Sequence, residues 1–115
     1  MIVRMWRGSV DKAKKDAYVA YLNETGLKDY ATVDGNEAAW LLCRERGEKV
    51  EFVTVTVWRS MDAIRAFAGD PPEKARYYPA DKDFLDYFEP EVEHYELVAK
   101  VGPDKDGPVE GLFQT

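Results

Sequence analysis

Residues 50–69 read VEFVTVTVWRSMDAIRAFAG, and two structural periods meet there with almost no loop between them. Phe52, Thr54, Thr56 and Trp58 alternate with Val53, Val55 and Val57, the two-residue repeat of a strand, reinforced by β-branched side chains. Ser60 then stands where a helix N-cap belongs, able to accept a hydrogen bond from a first-turn amide, with Asp62 complementing the helix dipole and Gly69 supplying a left-handed stop. A central strand therefore runs straight into a short amphipathic helix. Trp58 sits at the junction, where it either lines a pocket between sheet and helix or plugs the seam.

Upstream, Glu37 to Arg44 alternates Ala38, Trp40, Leu42 with Ala39, Leu41, Cys43, and the polar stretch 45–49 turns the chain back into the central strand, which predicts an antiparallel hairpin. Met1 to Trp6 reads as the first strand, with Ile2, Arg4 and Trp6 on one side, ending at Gly8-Ser9. From Asp11 to Leu27 the stripe Ala13, Ala17, Tyr18, Tyr21, Leu22 predicts one amphipathic helix capped by Ser9 and closed by Gly26, with 28–36 as a connection that bends sharply at Asp34-Gly35-Asn36. Downstream, Asp70-Pro71-Pro72 forbids continuation, Glu73 to Tyr78 makes a helical turn or two, and Pro79 stops it. Asp81 caps a further short helix with Phe84, Leu85 and Phe88 as its buried stripe, and Glu91 to Lys100 is the last strand. This order gives an α+β class, a ferredoxin-like split β-α-β protomer with a four-stranded antiparallel sheet and its helices on one face. The other face needs a cover, and a second copy of the chain is the expected one.

At 115 residues the chain is one domain, with residues 1–100 as its body and 101–115 as an irregular tail whose Leu112 and Phe113 are candidate dimer contacts. Sixteen basic against 22 acidic side chains leave a charge of −6, which argues against nucleic acid and anionic membranes as partners. The lone Cys43 has no disulfide partner and no neighbours at metal-ligand spacing, consistent with a reducing cytoplasm and no metal. No leader or membrane span is expected, because Arg4 and Arg7 interrupt the first apolar run. No glycine-rich nucleotide fingerprint follows a strand, so no flavin, NAD or other cofactor is expected. Three Trp, seven Tyr and five Phe exceed the packing needs of so small a core, which points to a cavity or an interface.

Thr56 to Tyr78, TVWRSMDAIRAFAGDPPEKARYY, with Pro79-Ala80-Asp81 and the strand HYEL at His94 to Leu97, resembles the antibiotic biosynthesis monooxygenase domains of the dimeric α+β barrel superfamily. The resemblance spans residues 1–100 and implies a homodimer whose two sheets close a barrel, with a pocket between sheet and helices in each protomer. Activities in that group include cofactor-free oxidation of polycyclic phenols by dioxygen, quinol oxidation and haem degradation. Fold is therefore implied more firmly than function.

By this resemblance Trp58 is a candidate for positioning a planar substrate. Arg4, Arg7 and Arg44 lie on predicted strands, and whichever points inward can stabilise a phenolate or peroxy anion; Arg4, sharing a face with Trp6, is preferred. His94, the only histidine, is a candidate base for a phenolic proton. Trp6, Trp40, Phe67, Tyr77, Tyr78 and Phe84 are candidate substrate-binding walls, although Tyr77 and Tyr78 cannot both face inward on a helix. For each of these, a core or solvated role is the alternative. The haem-degrading relatives carry a strand asparagine, a helix tryptophan and an iron-binding histidine; here the first strand has no Asn, the helix position is Phe67, and residues 74–78 hold no His. The expected function is cofactor-independent monooxygenation of a small planar aromatic or quinol-type molecule, the alternative a non-catalytic or stress-related homodimer that binds one.

Overall fold

The computed structural model describes residues 1–75 and 80–99. Its elements are β1 (Ile2–Asp11), α1 (Lys15–Glu24), α2 (Gly26–Thr32), β2 (Asn36–Arg46), β3 (Lys49–Trp58), α3 (Met61–Ala68), α4 (Asp81–Phe84), β4 (Leu85–Phe88) and β5 (Glu93–Glu96), with a 3-10 turn at Lys12–Lys14. The sheet is antiparallel in the order β2-β3-β1-β4, with β5 also on β1. Because β4 pairs with Gly8–Val10 and β5 with Ile2–Met5, the two short strands lie end to end in one lane. The sheet is thus five-stranded and four lanes wide, and the ferredoxin-like α+β expectation is met.

Strand parity decides which side chains meet. Trp58, Thr56, Thr54 and Phe52 stand opposite Ile2, Arg4, Trp6 and Gly8, and Arg4 stands opposite His94, so all of these share one face. Helices cover that face in two packed groups. Near the β2–β3 turn, Val10, Tyr18, Val50, Phe52 and Leu85 form a buried cluster with Phe84 against it. At the other end Trp58, Ala63 and Ile64 are buried with Ile2, Tyr30, Met61 and Phe67 around them. Fully burying such side chains is worth roughly 1.5–3 kcal/mol each.

The N-cap and hairpin expectations hold: Ser60 Oγ accepts from the Ala63 amide at 3.2 Å, and β2 and β3 pair from Asn36↔Trp58 to Arg46↔Lys49. Gly35, Gly47 and Gly69 take positive φ at the bends, where glycine carries no Cβ penalty.

Four expectations are corrected. Strand β1 does not end at Gly8-Ser9 but runs to Asp11, because β3 offers it a paired edge down to Lys49; Ser9 donates to Asp86 from within the strand and does not cap a helix. The single helix over 11–27 is a 3-10 turn and two helices. Gly26 is no stop, since its φ is not positive; it opens α2, and the Asp29 amide restarts the ladder on Thr25 O at 2.9 Å. Leu85 and Phe88 leave the helix for β4, which satisfies the β1 edge at Gly8–Val10. The last strand is only Glu93–Glu96, because Val92 turns its amide to Glu73 O at 2.7 Å and Lys74 bridges Glu91. Expectations for Tyr77, Tyr78 and 101–115 lie outside the described residues.

Candidate functional site

Between the two packed groups the helix-facing side of the sheet turns polar: Arg4 on β1, with Thr54 and Thr56 on β3. A cavity of about 60 Å³ opens there, lined by Arg4, Trp6, Tyr18, Tyr30, Thr54 and Asp81 among others. Arg4 is only 4% exposed. Its Nη2 donates to the carbonyls of Lys74 at 3.1 Å and Pro72 at 3.4 Å. The guanidinium carbon lies 5.9 Å from the centre of the Phe67 ring, a cation–π contact. Among the described residues Nε has no hydrogen-bond partner. Burial lowers the Arg4 pKa, opposed by Tyr30, and the group stays charged near neutral pH because arginine starts so high.

His94 stands directly across β1 from Arg4. Its pKa is lowered, first by burial and then by the Arg4 charge, with Glu73 pulling the other way, which keeps the ring neutral at pH 7 and able to accept a proton. Its Nε2 is buried without a hydrogen-bond partner among the described residues. Asp81 reaches the cavity from the start of α4 and hydrogen-bonds the Tyr21 hydroxyl, whose pKa is raised first by burial and then by that carboxylate.

The other sequence candidates divide by position. Trp58 is fully buried; its indole N–H donates to Thr56 Oγ1 at 2.8 Å, and that hydroxyl donates to the Arg4 carbonyl at 3.4 Å. It is outside the cavity lining and backs Phe67 and Tyr30, at 5.2 and 6.1 Å between ring centres. Trp6 lines the cavity, its N–H donating to Glu89 O at 3.2 Å. Phe84 packs on Tyr18 and Tyr21, away from Arg4. Trp40 pairs with Val55 on the opposite face of the sheet and cannot share a pocket with Arg4. Arg7, on that face too, pairs with Glu93, and Arg44 pairs with Glu51 at the surface. The structure thus places Trp6 with Arg4 in the cavity lining, sets Phe67 and His94 beside Arg4 but outside that lining, and leaves Trp40 and Phe84 apart from it. Sequence reasoning missed Tyr30, Thr54 and Asp81 as cavity residues; the signal was Thr54 and Thr56 interrupting an otherwise apolar core-facing stripe between Phe52 and Trp58.

A helical layer on one antiparallel sheet, with the cavity between the two, defines a ferredoxin-like α+β architecture. Solved structures share it. A Bacillus cereus protein provisionally assigned as an antibiotic biosynthesis monooxygenase superposes with a TM-score of 0.64 at 14% identity, covering 91% of this chain and 98% of that one. A MhuD arginine-to-serine mutant with two manganese protoporphyrin IX bound per active site gives 0.57 at 22%, covering 89% and 99%. Rv0793 from Mycobacterium tuberculosis gives 0.57 at 15%, covering 88% and 98%. At these identities the likeness shows the fold. No protein-family model and no curated protein matches the chain.

The residues here do not fit a porphyrin. The cavity, about 60 Å³, is far below the roughly 300–1,000 Å³ that a drug-sized ligand occupies. The helix position expected to hold tryptophan is Phe67, occupied by its contacts with Arg4, Tyr30 and Trp58. Among the described residues no helix is long and apolar enough to cross a membrane.

Proposed function

We propose that the chain is a homodimeric protein that binds a small planar phenol or quinol between sheet and helices and oxidises it with dioxygen, without a cofactor. The observation that carries this reading is Arg4: a buried cation without a carboxylate partner among the described residues, facing a cavity walled by Trp6, Tyr18 and Tyr30. A fixed guanidinium in a low-dielectric site stabilises a phenolate far better than one in water does. Neutral His94 takes the phenolic proton. The phenolate gives one electron to dioxygen, the phenoxyl radical and superoxide combine at a ring carbon, and the peroxide anion takes back the proton that His94 holds. Loss of water from the hydroperoxide leaves a quinone, so one dioxygen supplies the product oxygen and one water. Trp58 holds the pocket wall from behind through Thr56.

A second reading, a non-catalytic binder of the same fold, is favoured by the sealing of Trp58 and by size. A benzene ring occupies a cavity of about 150 Å³, so an aromatic substrate enters only if the helices move outward from the sheet. Oxygen uptake by metal-stripped protein with naphthols, hydroquinones and anthrones separates the two. The oxygenase reading expects consumption above the uncatalysed rate that falls at least tenfold in His94→Gln. Absence of uptake from folded protein with every compound moves the function to binding alone.

A further inference from the structure

Arg4 brings into the fold a charge that no carboxylate among the described residues pairs. Both hydrogens of Nη2 are committed to the carbonyls of Lys74 and Pro72, which contribute partial charges only. Asp81, the carboxylate lining the same cavity, is engaged by Tyr21. Nε is left buried and unpartnered. A buried cation is unfavourable unless an opposite charge accompanies it, and an unmade buried hydrogen bond adds to the imbalance. The remaining side-on donor of the guanidinium, Nε–H, addresses one oxygen rather than the two of a bidentate clamp. The cavity beside it, about 60 Å³, is roughly the space of two liquid waters.

We propose that the cavity is a site for one anionic oxygen group, a phenolate or a carboxylate, held monodentately by Arg4 Nε. The assignment rests on the reading of this cavity as the ligand site and does not depend on turnover. The group arrives either as a free small anion or as the charged end of an aromatic ligand whose ring lies toward Leu22, Leu27 and Tyr30.

The reporter is built in. His94 is the only histidine, so its ring gives a single carbon–proton resonance in the full chain. The charged groups acting on it are Arg4 from β1 and Glu73 from the segment after α3; Asp81 lines the cavity on which Arg4 opens and is not among them. An anion at Arg4 cancels part of the Arg4 field and makes His94 titrate at higher pH. Formate and benzoate, both anionic across the range, are added separately while that resonance is followed from pH 4.5 to 8. A saturable upward movement of the His94 midpoint is expected, lost in Arg4→Met and retained in Arg7→Met. Movement with formate alone identifies a free small anion, and movement with benzoate identifies an aromatic ligand's charged end; both support the site. No movement with either, or movement that survives in Arg4→Met, overturns it. Should Arg4→Met fail to fold, Arg4→Lys decides: the half-saturating concentration rises about tenfold if the guanidinium holds the anion, and an unchanged value overturns the site. Oxygen uptake is read apart from this, so movement without uptake removes only the oxygenase, and uptake without movement removes only the anion site.

Discussion

Thr56 joins two residues that the sequence offers as separate candidates. Its hydroxyl accepts the Trp58 N–H and donates to the Arg4 carbonyl, so it fixes the strand that presents the guanidinium. Thr56→Val keeps the shape and leaves the indole N–H buried without an acceptor, a loss of about 1–3 kcal/mol, read as a lower urea midpoint with unchanged m. His94 adds a pH dependence. Its folded pKa is depressed by burial and by Arg4, so its contribution to stability is complete above the unfolded value of about 6.5 and is lost as pH falls through the lower folded value. Thermal melts between pH 7 and pH 5 should show a decline that His94→Gln reduces; equal declines in both proteins would mean other groups govern that window. Arg4 was legible as a candidate from its shared strand face with Trp6, and His94 as the only histidine of the sequence. Their adjacency was not, because it depends on the register between β1 and β5, which pairs residues 90 positions apart in the chain.

At the scale of elements, local chemistry was readable where it is self-contained. The Ser60 cap and the Gly47 hairpin need only near neighbours, and both form as the residues predict. The break at Thr25 and the capture of 85–88 as β4 answer to distant partners, an edge of β1 and a close approach of α2 to the cavity, which no local pattern encodes. The crossing of β1 with β4 is tight: a Cβ on Gly8 would lie 2.5 Å from the Trp6 ring and 3.1 Å from Tyr87 O. Gly8→Ala should therefore cost about 1–3 kcal/mol. Trp6→Phe in the same chain should restore part of that loss, because the clashing atom belongs to the indole's six-membered ring. A double variant no more stable than the sum of its parts would locate the clash in the backbone of β4 instead.

The molecule as a whole has one sheet face under helices and another carrying Val3, Met5, Val53, Val55, Trp40 and Leu42, with Leu42 and Tyr95 each 49% exposed. A second copy placed there explains why an alternating Ala38-Trp40-Leu42 stripe faces away from the helices. Light scattering should give twice the chain mass, and Trp40→Asp should lower it to one. A wild-type monomer at tens of micromolar protein would remove the homodimer from the account. The candidate site was only half legible: alternation separates Trp40 from Trp6 once the hairpin register is known, while the reach of Asp81 and Tyr30 into the cavity comes from helix placement. The account's central claim is that ligands bind on the helix side at Arg4. Titration calorimetry of 4-nitrophenol into the wild type, Arg4→Met and Arg7→Met tests it most directly. The account predicts binding that weakens at least tenfold in Arg4→Met and stays within threefold in Arg7→Met; equal affinity in all three, or loss confined to Arg7→Met, would contradict it.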